Sequence, residues 1–155
     1  MLFEERRQPM RVSTKVEYGI VALADIAMNS GDGTVVTASD IARRQDIPRK
    51  YLEQILLRLK QTGSLRAHKG SGGGYTLARS TDSIKLSQII DALDDTLLAD
   101  NEPDIRTSRL RRSVSECFWS RLTDLMKGYA DSITLSELIS ECALSSDKDS
   151  DMYVI

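Results

Sequence analysis

A short series of polar side chains at the start of one helical segment could form hydrogen bonds to the edges of nucleic-acid bases. Residues 49–61 read RKYLEQILLRLKQ, and their apolar residues recur at the i, i+3, i+4 and i+7 positions of one helix face: Leu52, Ile55, Leu56 and Leu59. The first turns of the opposite face carry five candidates for contact with DNA: Arg49, Lys50, Tyr51, Glu53 and Gln54. Glutamine can bond adenine bidentately, glutamate can accept a hydrogen bond from cytosine, and arginine or lysine can reach guanine. Tyr51 is expected to reach a phosphate.

A glycine-rich segment follows this helix and predicts a β-hairpin. Residues 64–68 and 75–78 fit the period-two alternation of two strands, and Gly63 is suited to end the helix before them. The tip between the strands, residues 70–74, reads GSGGG, which permits positive φ angles and adds no side-chain bulk. The hairpin contributes four more candidates for contact with the minor groove or with phosphates: His68, Lys69, Gly72 and Gly73.

The same glycines could belong to a nucleotide-binding loop, but their spacing does not match one. A GxGxxG loop requires glycine where this chain has Tyr75, and no Gly-Lys-Ser or Gly-Lys-Thr is present to end a Walker loop. His68 is the only histidine, so no Cys-His or Ser-His-Asp set can be assembled elsewhere. The sequence therefore disfavours an enzyme.

Charge is distributed unevenly along the chain. Residues 37–79 contain nine lysines and arginines against three acidic residues, a net charge of +6, whereas the whole chain carries −2. Residues 91–104 hold six carboxylates and no lysine or arginine. A local basic face on an otherwise acidic protein indicates a polyanionic partner, and double-stranded DNA fits that description. A helix whose charges are simply solvated is the competing interpretation.

Helices on both sides must position these residues. Residues 12–29 predict a first helix that Ser13 can cap. Its apolar stripe lies on one face: Val16, Ile20, Leu23, Ala24 and Ala27. Thr37-x-x-Asp40 predicts the cap of a short second helix, and Pro48 suits the first position of the third. Two helices joined by so short a turn match a helix-turn-helix, and a fourth helix is predicted from Ile84 to Leu98.

A long helix is predicted from about Ile105 to Tyr129. Its apolar stripe is too extensive for an isolated surface helix: Leu110, Val114, Phe118, Leu122, Leu125 and Tyr129. We expect this stripe to pair with the same helix of a second subunit, which would present two recognition helices to a palindromic DNA site. Packing of the stripe against its own domain is the alternative.

These elements predict a mainly α fold with a small β-hairpin wing, in which a winged helix-turn-helix domain is joined to a long dimerisation helix. Thr134-x-x-Glu137 predicts the cap of a last helix that ends near Cys142. The predicted organisation has four parts: a disordered lead at residues 1–9, the DNA-binding domain at residues 10–98, an acidic loop and dimerisation helices at residues 99–143, and a disordered acidic tail at residues 144–155.

The chain also carries features expected of a cytoplasmic protein. Two cysteines, Cys117 and Cys142, are too few for a disulfide scaffold. No run of about 18 apolar residues could span a membrane, and the first residues lack the apolar region of a secretion signal. A start at Met10 is an alternative to a start at Met1, because the patterned region begins there.

Several of these motifs occur together in one known family: residues 51–54 (YLEQ), residues 69–77 (KGSGGGYTL), Met10–Tyr18, Trp119 with Leu122, and residues 133–135 (ITL). Over about residues 10–143 the chain resembles the Rrf2 (iron–sulfur cluster regulator) family of bacterial winged helix-turn-helix transcription factors. The resemblance implies a homodimer built on the long helix, usually acting as a repressor. It also implies a DNA-reading set at the matching positions: Tyr51, Glu53, Gln54 and Lys69.

The sensing site that the resemblance implies is where this chain departs from the family. Many members hold an iron–sulfur cluster with three cysteines between the wing domain and the long helix, and some add a histidine. The positions that match the third cysteine and the histidine are Ser113 and Glu116, and the first cysteine of the chain is Cys117. The usual set of three cysteine ligands is therefore absent.

An atypical cluster site stays an alternative. Some members recruit a carboxylate from the first helix of the opposite subunit, and Glu17 matches that position. A site made of Glu17, Cys117 and Cys142 across a dimer would be unusual, because clusters use four ligands that are mostly thiolates. The other interpretations are that no cofactor is required and both cysteines are small buried hydrophobic residues, or that the signal is a small ligand, a protein partner or oxidation of Cys117.

We therefore predict a sequence-specific DNA-binding transcription regulator that binds a palindromic operator as a homodimer and represses. Two alternatives stay open. One is an iron–sulfur or redox-sensing regulator with atypical ligands, and the other is a winged-helix module that binds another protein.

Overall fold

Two groups of helices flank a small β-hairpin along the chain. The computed structural model describes residues 13–100 and 106–151. In chain order the elements are α1 (Thr14–Asn29), α2 (Ala38–Gln45), α3 (Arg49–Gln61), β1 (Leu65–His68), β2 (Gly74–Leu77), α4 (Leu86–Leu93), α5 (Arg109–Val114), α6 (Ser120–Ser132) and α7 (Leu135–Asp151). A 3-10 turn at Thr81–Ser83 precedes α4, and a π-helical turn at Ser115–Trp119 joins α5 to α6. The predicted fold class, mainly α with a β-hairpin wing, is confirmed.

The hydrophobic core lies where α1, α3, α4 and the hairpin meet. All four apolar residues predicted for α3 are buried there: Leu52, Ile55, Leu56 and Leu59. The buried face of α1 centres on Val16, Gly19, Leu23 and Ile26, whereas the predicted Ile20, Ala24 and Ala27 are half-buried beside it. Gly19 accounts for this rotation, because a Cβ at that position would collide with the side chain of Leu93 on α4. α1 and α4 therefore pack in close contact.

The hairpin forms as predicted, with burial that alternates along β1, whereas all four residues of β2 are half-buried. Leu65 pairs with Leu77 and Ala67 with Tyr75 in an antiparallel register. A third segment extends this small sheet, because Val36 and Tyr75 exchange backbone hydrogen bonds of 3.0 and 2.8 Å. The wing is thereby tied to the segment that leads into α2.

A second backbone bridge connects the two ends of the fold. Lys85, just before α4, pairs with Thr134, which lies between α6 and α7. Leu86 N–H donates to the carbonyl of Ile133 at 2.9 Å, and Leu135 N–H donates to the carbonyl of Ile84 at 2.8 Å. This bridge anchors the C-terminal end of α6 to the DNA-binding domain.

Two helix ends in the N-terminal domain differ from the prediction. Ser13 occupies the N-cap position of α1, but its side chain does not cap the helix and instead hydrogen-bonds Asp94. α4 ends at Leu93 rather than Leu98. The carboxylate of Asp94 accepts hydrogen bonds from the backbone N–H of Thr96 at 3.1 Å and from its hydroxyl at 2.6 Å, a local turn that competes with the helix.

The C-terminal helices carry a confirmed cap and a corrected end. Thr134 N–H donates to the carboxylate of Glu137 at 2.9 Å, and Glu137 N–H donates to the hydroxyl of Thr134 at 3.2 Å, which is the predicted capping box. α7 then continues to Asp151, so the prediction that it ends near Cys142 was wrong. Residues 144–151, predicted to be disordered, are helical.

The long helix begins at Arg109, where the hydroxyl of Ser108 accepts a hydrogen bond from Arg111 N–H at 3.3 Å. The predicted start at Ile105, the loop at residues 101–104, the lead at residues 1–9 and the last four residues lie outside the described residues. Within the described residues, no helix is both long enough and apolar enough to cross a membrane.

Candidate nucleic-acid interface

α2 and α3 form the predicted helix-turn-helix. The hydroxyl of Thr37 accepts a hydrogen bond from Asp40 N–H at 3.1 Å and donates one to its carboxylate at 2.8 Å, which starts α2. Asp46 ends α2 in the left-handed conformation with φ of +52°, a conformation that aspartate tolerates better than most residues. Pro48 occupies the N-cap position of α3, one residue before the predicted position. The turn thus directs one face of α3 into the core and the other outward.

A buried carboxylate on α1 holds α2 in place. Asp25 is 3% exposed and accepts hydrogen bonds from Arg44 Nε at 3.0 Å and from Gln45 Nε2 at 2.7 Å. Burial opposes the ionisation of Asp25, but the hydrogen bonds from Arg44 and Gln45 and the charge of Arg44 outweigh burial and hold its pKa below the ordinary value of 3.8. The hydrogen bond to Asp25 likewise raises the pKa of Arg44.

Sequence reasoning missed this cluster. The available signal was the position of Asp25, a carboxylate between the apolar residues Leu23 and Ile26 of α1. A charged residue is rarely fully buried unless it is paired, and the next helix offers donors at Arg44 and Gln45.

The predicted base-reading side chains lie together on the outward face of α3. Lys50, Glu53 and Gln54 are exposed. Arg49 Nε donates to Glu53 Oε1 at 3.0 Å, in an ion pair whose side chains are 64% and 49% exposed. Exposed pairs of this kind contribute little to stability, so a base or a phosphate can replace either partner at small cost.

Tyr51 has a packing role that the sequence did not predict. Its half-buried ring meets the ring of Tyr18 edge to face, with centroids 5.8 Å apart, and packs against the core. Contact of its hydroxyl with a phosphate stays a prediction. Gln54 lines a cavity of about 310 Å³ together with Arg58 on α3 and Asp91 on α4.

The hairpin tip is built more tightly than a flexible glycine loop. Of the four glycines at the tip, Gly70 alone has a positive φ, of +105°. A Cβ on Gly73 would collide with the carbonyl oxygen of His68, and one on Gly74 would lie 2.7 Å from the carbonyl oxygen of Val36. Glycine is therefore required at Gly73 and Gly74 for close backbone approach rather than for conformational freedom.

Two basic side chains flank this tip. His68 and Lys69 are both exposed, as is Gly72, at which a Cβ would meet open space. His68 Nε2 lies within hydrogen-bonding distance, 2.9 Å, of the hydroxyl of Thr76 on the opposite strand. This cross-strand contact orients the imidazole on the surface of the wing.

One apolar residue of α3 also faces outward and was not among the predicted contacts. Leu57 is 52% exposed and lies one turn beyond Glu53 and Gln54. Its spacing of seven residues from Lys50 could have placed it on the same face from sequence alone.

The apolar stripe of the long helix is exposed along its length. Six predicted residues have exposed fractions between 39% and 74%: Leu110, Val114, Phe118, Leu122, Leu125 and Tyr129. The π-helical turn lies at the middle of the stripe, where the rings of Phe118 and Trp119 meet edge to face with centroids 5.0 Å apart. The alternative in which this stripe packs against its own domain is therefore wrong.

The three residues considered for a metal site are not gathered within one chain. Among the residues that the structure describes, no group of three or more histidine, cysteine, aspartate or glutamate side chains could hold a metal ion. Glu17 on α1, Cys117 in the π-helical turn and Cys142 on α7 are each exposed. The interpretation of both cysteines as buried hydrophobic residues is also wrong.

The helix-turn-helix, the wing and the long helix occur together in a known family. The family model described as Rrf2, iron-dependent transcriptional regulator, matches residues 12–141 and so spans all three parts. The chain belongs to the Rrf2 family. The predicted resemblance is confirmed.

Other Rrf2 proteins share this chain's fold over most of its length. The HTH-type transcriptional regulator IscR of Escherichia coli O1:K1 is 34% identical over 131 residues, which cover 84% of this chain and 80% of IscR. The solved structure of T. potens IscR matches with a TM-score of 0.70 and 32% identity, and covers 86% of this chain and 88% of that one. The structure of CymR, the global cysteine regulator of B. subtilis, matches with a TM-score of 0.71 and 27% identity over 85% of this chain and 98% of CymR.

These Rrf2 relatives are transcriptional regulators and not enzymes. The chain is a DNA-binding transcription regulator of that family, as predicted, and the prediction that it is not an enzyme is confirmed.

Proposed function

We propose that this Rrf2-family regulator binds a palindromic operator as a homodimer and represses transcription from it. The observation that carries the proposal is the outward face of α3, where Lys50, Glu53 and Gln54 are exposed beside one another. Together they offer a cation, an acceptor and an amide that can bond an adenine edge bidentately. The opposite face of α3 is locked in the core, so these side chains are held on a rigid element.

The wing and the basic residues around α3 supply contacts that do not depend on sequence. His68 and Lys69 directly precede the tip of the hairpin, where the backbone at Gly73 lies close to the carbonyl oxygen of His68. We expect Lys69 and the backbone at Gly72 to contact phosphates or the minor groove beside the recognised bases. Arg49 can exchange its ion pair with Glu53 for a phosphate or a guanine.

The exposed stripe of the long helix supports the homodimer. Six large apolar side chains on one helix face form a patch of the kind that marks a protein–protein interface. A two-fold axis beside this helix would present two copies of α3, and a palindromic operator has the same symmetry.

Selection of binding sites from a random double-stranded DNA library tests the proposal. The expected result is an inverted repeat with half-sites centred about 10 base pairs, or a multiple of this, apart, bound by two chains. Placing the selected site across a promoter should lower transcription in a purified system. Enrichment of no sequence, together with no binding to DNA at low salt, would leave the protein-interaction module as the better assignment.

The residues present do not fit an iron–sulfur cluster bound within one chain. A cluster requires about four ligands, most of them thiolates, and this sequence supplies two cysteines, in different helices and both exposed. We therefore infer that DNA binding by this protein does not require a resident cluster. Absorption spectroscopy with iron and sulfide assays on protein purified without oxygen tests this inference. Stoichiometric iron whose loss abolishes operator binding would overturn it.

Redox sensing through Cys117 is the second candidate signal. Cys117 is exposed in the π-helical turn, and π-turns are frequent at functional sites. Among the solved relatives, S. aureus CymR is known in an oxidized form, and it is 26% identical to this chain. Operator affinity of the Cys117→Ser variant with and without hydrogen peroxide tests this candidate. An equal response to peroxide in the variant and the unmodified chain would exclude Cys117 as the sensor.

A further inference from the structure

We propose that Leu57 is a specificity-determining residue of the DNA interface, and that it recognises the C5-methyl group of a thymine in each operator half-site. The inference rests on the proposed function, since it requires α3 to lie in the major groove. It concerns an apolar contact, whereas Lys50, Glu53 and Gln54 act through charge and hydrogen bonds.

Leu57 lies on the face of α3 that is directed away from the core. The buried face of the helix consists of Leu52, Ile55, Leu56 and Leu59. With about 100° of rotation per residue, Leu57 points within roughly 30° of the direction opposite that face. Lys50, two turns earlier, and Gln54 point within a similar angle of the same direction.

Leu57 has an exposed fraction of 52%, on a helix whose other large aliphatic side chains, within the described residues, are fully or almost fully buried. Single exposed leucines are common on protein surfaces and do not by themselves indicate a function. Leu57 lies along the helix between Glu53 and Gln54 on one side and Gln61 on the other, and all three of these polar residues are exposed. In the proposed complex this face of α3 enters the major groove.

The major groove offers Leu57 one apolar partner, the C5-methyl group of thymine. Of the four base edges in the major groove, thymine alone presents a methyl group, and apolar side chains are what contact it. Leucine offers no hydrogen bond to any base edge. It would leave the polar groups of any base unpaired at that position, thymine O4 included, and thymine alone offsets this loss with a methyl contact. Leu57 therefore favours thymine through contact with its methyl group.

A thermodynamic cycle tests the contact. The operator selected by the unmodified protein is synthesised with deoxyuridine in place of thymidine, one symmetric pair of positions at a time, which removes only the methyl groups. At one position we expect affinity to fall by about fourfold per half-site, the effect of one buried methyl group. The Leu57→Ala variant should bind the thymidine and deoxyuridine operators equally at that position.

Matched variants exclude indirect effects. Leu57→Met keeps an apolar side chain and should retain a preference for thymidine. Leu144→Ala removes a leucine that is 65% exposed on α7, away from α3, and should show the full deoxyuridine effect. Because Leu57 is outside the core, we expect Leu57→Ala to unfold at the same denaturant concentration as the unmodified chain.

The outcomes separate the two proposals. If selection enriches no DNA sequence, the proposed operator binding fails before the cycle is measured. If an operator is found but no thymine methyl matters, or if the effect of deoxyuridine persists in Leu57→Ala, the role of Leu57 is overturned while the proposed function stands.

Discussion

The guanidinium of Arg44 on α2 hydrogen-bonds the carboxylate of Asp25 on α1, whose side chain is 1% exposed. The pair joins a helix of the core to the first helix of the helix-turn-helix. Because α2 leads directly into the turn before α3, this contact holds the first helix of the helix-turn-helix against α1. The carboxylate of Asp25 thus stabilises the position of α2, although Asp25 itself is buried.

Replacement of Asp25 by asparagine should destabilise the protein by roughly 2–4 kcal/mol at pH 7, because it leaves the Arg44 charge without its buried partner. The pKa of Asp25 is lowered by folding, so the contribution of the carboxylate is present above its unfolded pKa and is lost as pH falls through its folded value, below 3.8. The free-energy difference between the two proteins should therefore be constant from pH 7 to about 5 and shrink below about pH 4.

Urea unfolding at fixed protein concentration and at several pH values measures this difference. Asp124→Asn, which removes an exposed carboxylate on α6, serves as the control and should change stability by less than about 0.5 kcal/mol. An Asp25→Asn difference that stayed unchanged down to pH 3 would mean that the charge of Asp25 does not stabilise the fold.

Replacement of Gln54 by alanine should relax the base preference at one position of each half-site by about 1–3 kcal/mol, because the side chain can no longer bond a base edge. Binding to the operator and to its single-base variants, measured by fluorescence anisotropy, reports the change. Gln61→Ala removes a glutamine from the far end of α3 and should alter the preference less. Unchanged discrimination in Gln54→Ala would show that the register of α3 in the groove differs from the proposed one.

Replacement of Lys69 by alanine should weaken binding to every DNA sequence alike. A phosphate contact contributes about 0.9 to the slope of log affinity against log salt, so a dimer that loses two contacts should lose nearly two units of slope. Titrations between 50 and about 200 mM salt measure the slope. Lys127→Ala removes a lysine of α6 that is paired with Asp100, and it should leave the slope unchanged. An unchanged slope in Lys69→Ala would exclude a phosphate contact by Lys69.

Replacement of Leu125 by glutamate should dissociate the proposed dimer. Leu125 is 72% exposed at the centre of α6, and two glutamates buried at one symmetric interface should raise the dimer dissociation constant roughly 100- to 1,000-fold. Sedimentation velocity over a range of concentrations measures the association. Met28→Glu changes a residue of α1 that is 70% exposed and should leave association unaltered. Equal association of Leu125→Glu and the unmodified chain would place the interface elsewhere.

The parts of the fold that sequence reasoning predicted are those set by local periodicity. The period-two alternation predicted the two strands of the hairpin, and the helical spacing of Leu52, Ile55, Leu56 and Leu59 predicted the buried face of α3. Gly63 ends α3 through a φ of +83°, as its position indicated. These patterns are repeated over several residues, so one exception does not alter the conclusion.

The features that were missed depend on contacts between distant residues. The buried role of Asp25 requires Arg44, 19 residues later, and the end of α4 depends on a turn formed by a single side chain, Asp94. The outward direction of Leu57 follows from the helical spacing, but its exposure follows from the tertiary packing of α3.

The spacing of the apolar stripe could have predicted the π-helical turn. Leu110, Val114, Phe118 and Leu122 recur every four residues. In an α-helix such a spacing drifts by about 40° at each step. The π-helical turn at Ser115–Trp119 holds more residues per turn and reduces this drift, which keeps the stripe on one side of the helix.

The bridge between Lys85 and Thr134 fixes the C-terminal end of the long helix beside α4. Its other end, at Arg109, lies about 33 Å away at 1.5 Å of rise per residue. If the long helix tilts by about 5° about this bridge, its far end therefore moves by about 3 Å. Conversely, we expect a displacement of that size at the far end to produce a small rotation of the DNA-binding domain. Under the proposed function, affinity for an operator with fixed spacing between half-sites would respond to that rotation even with α3 unchanged.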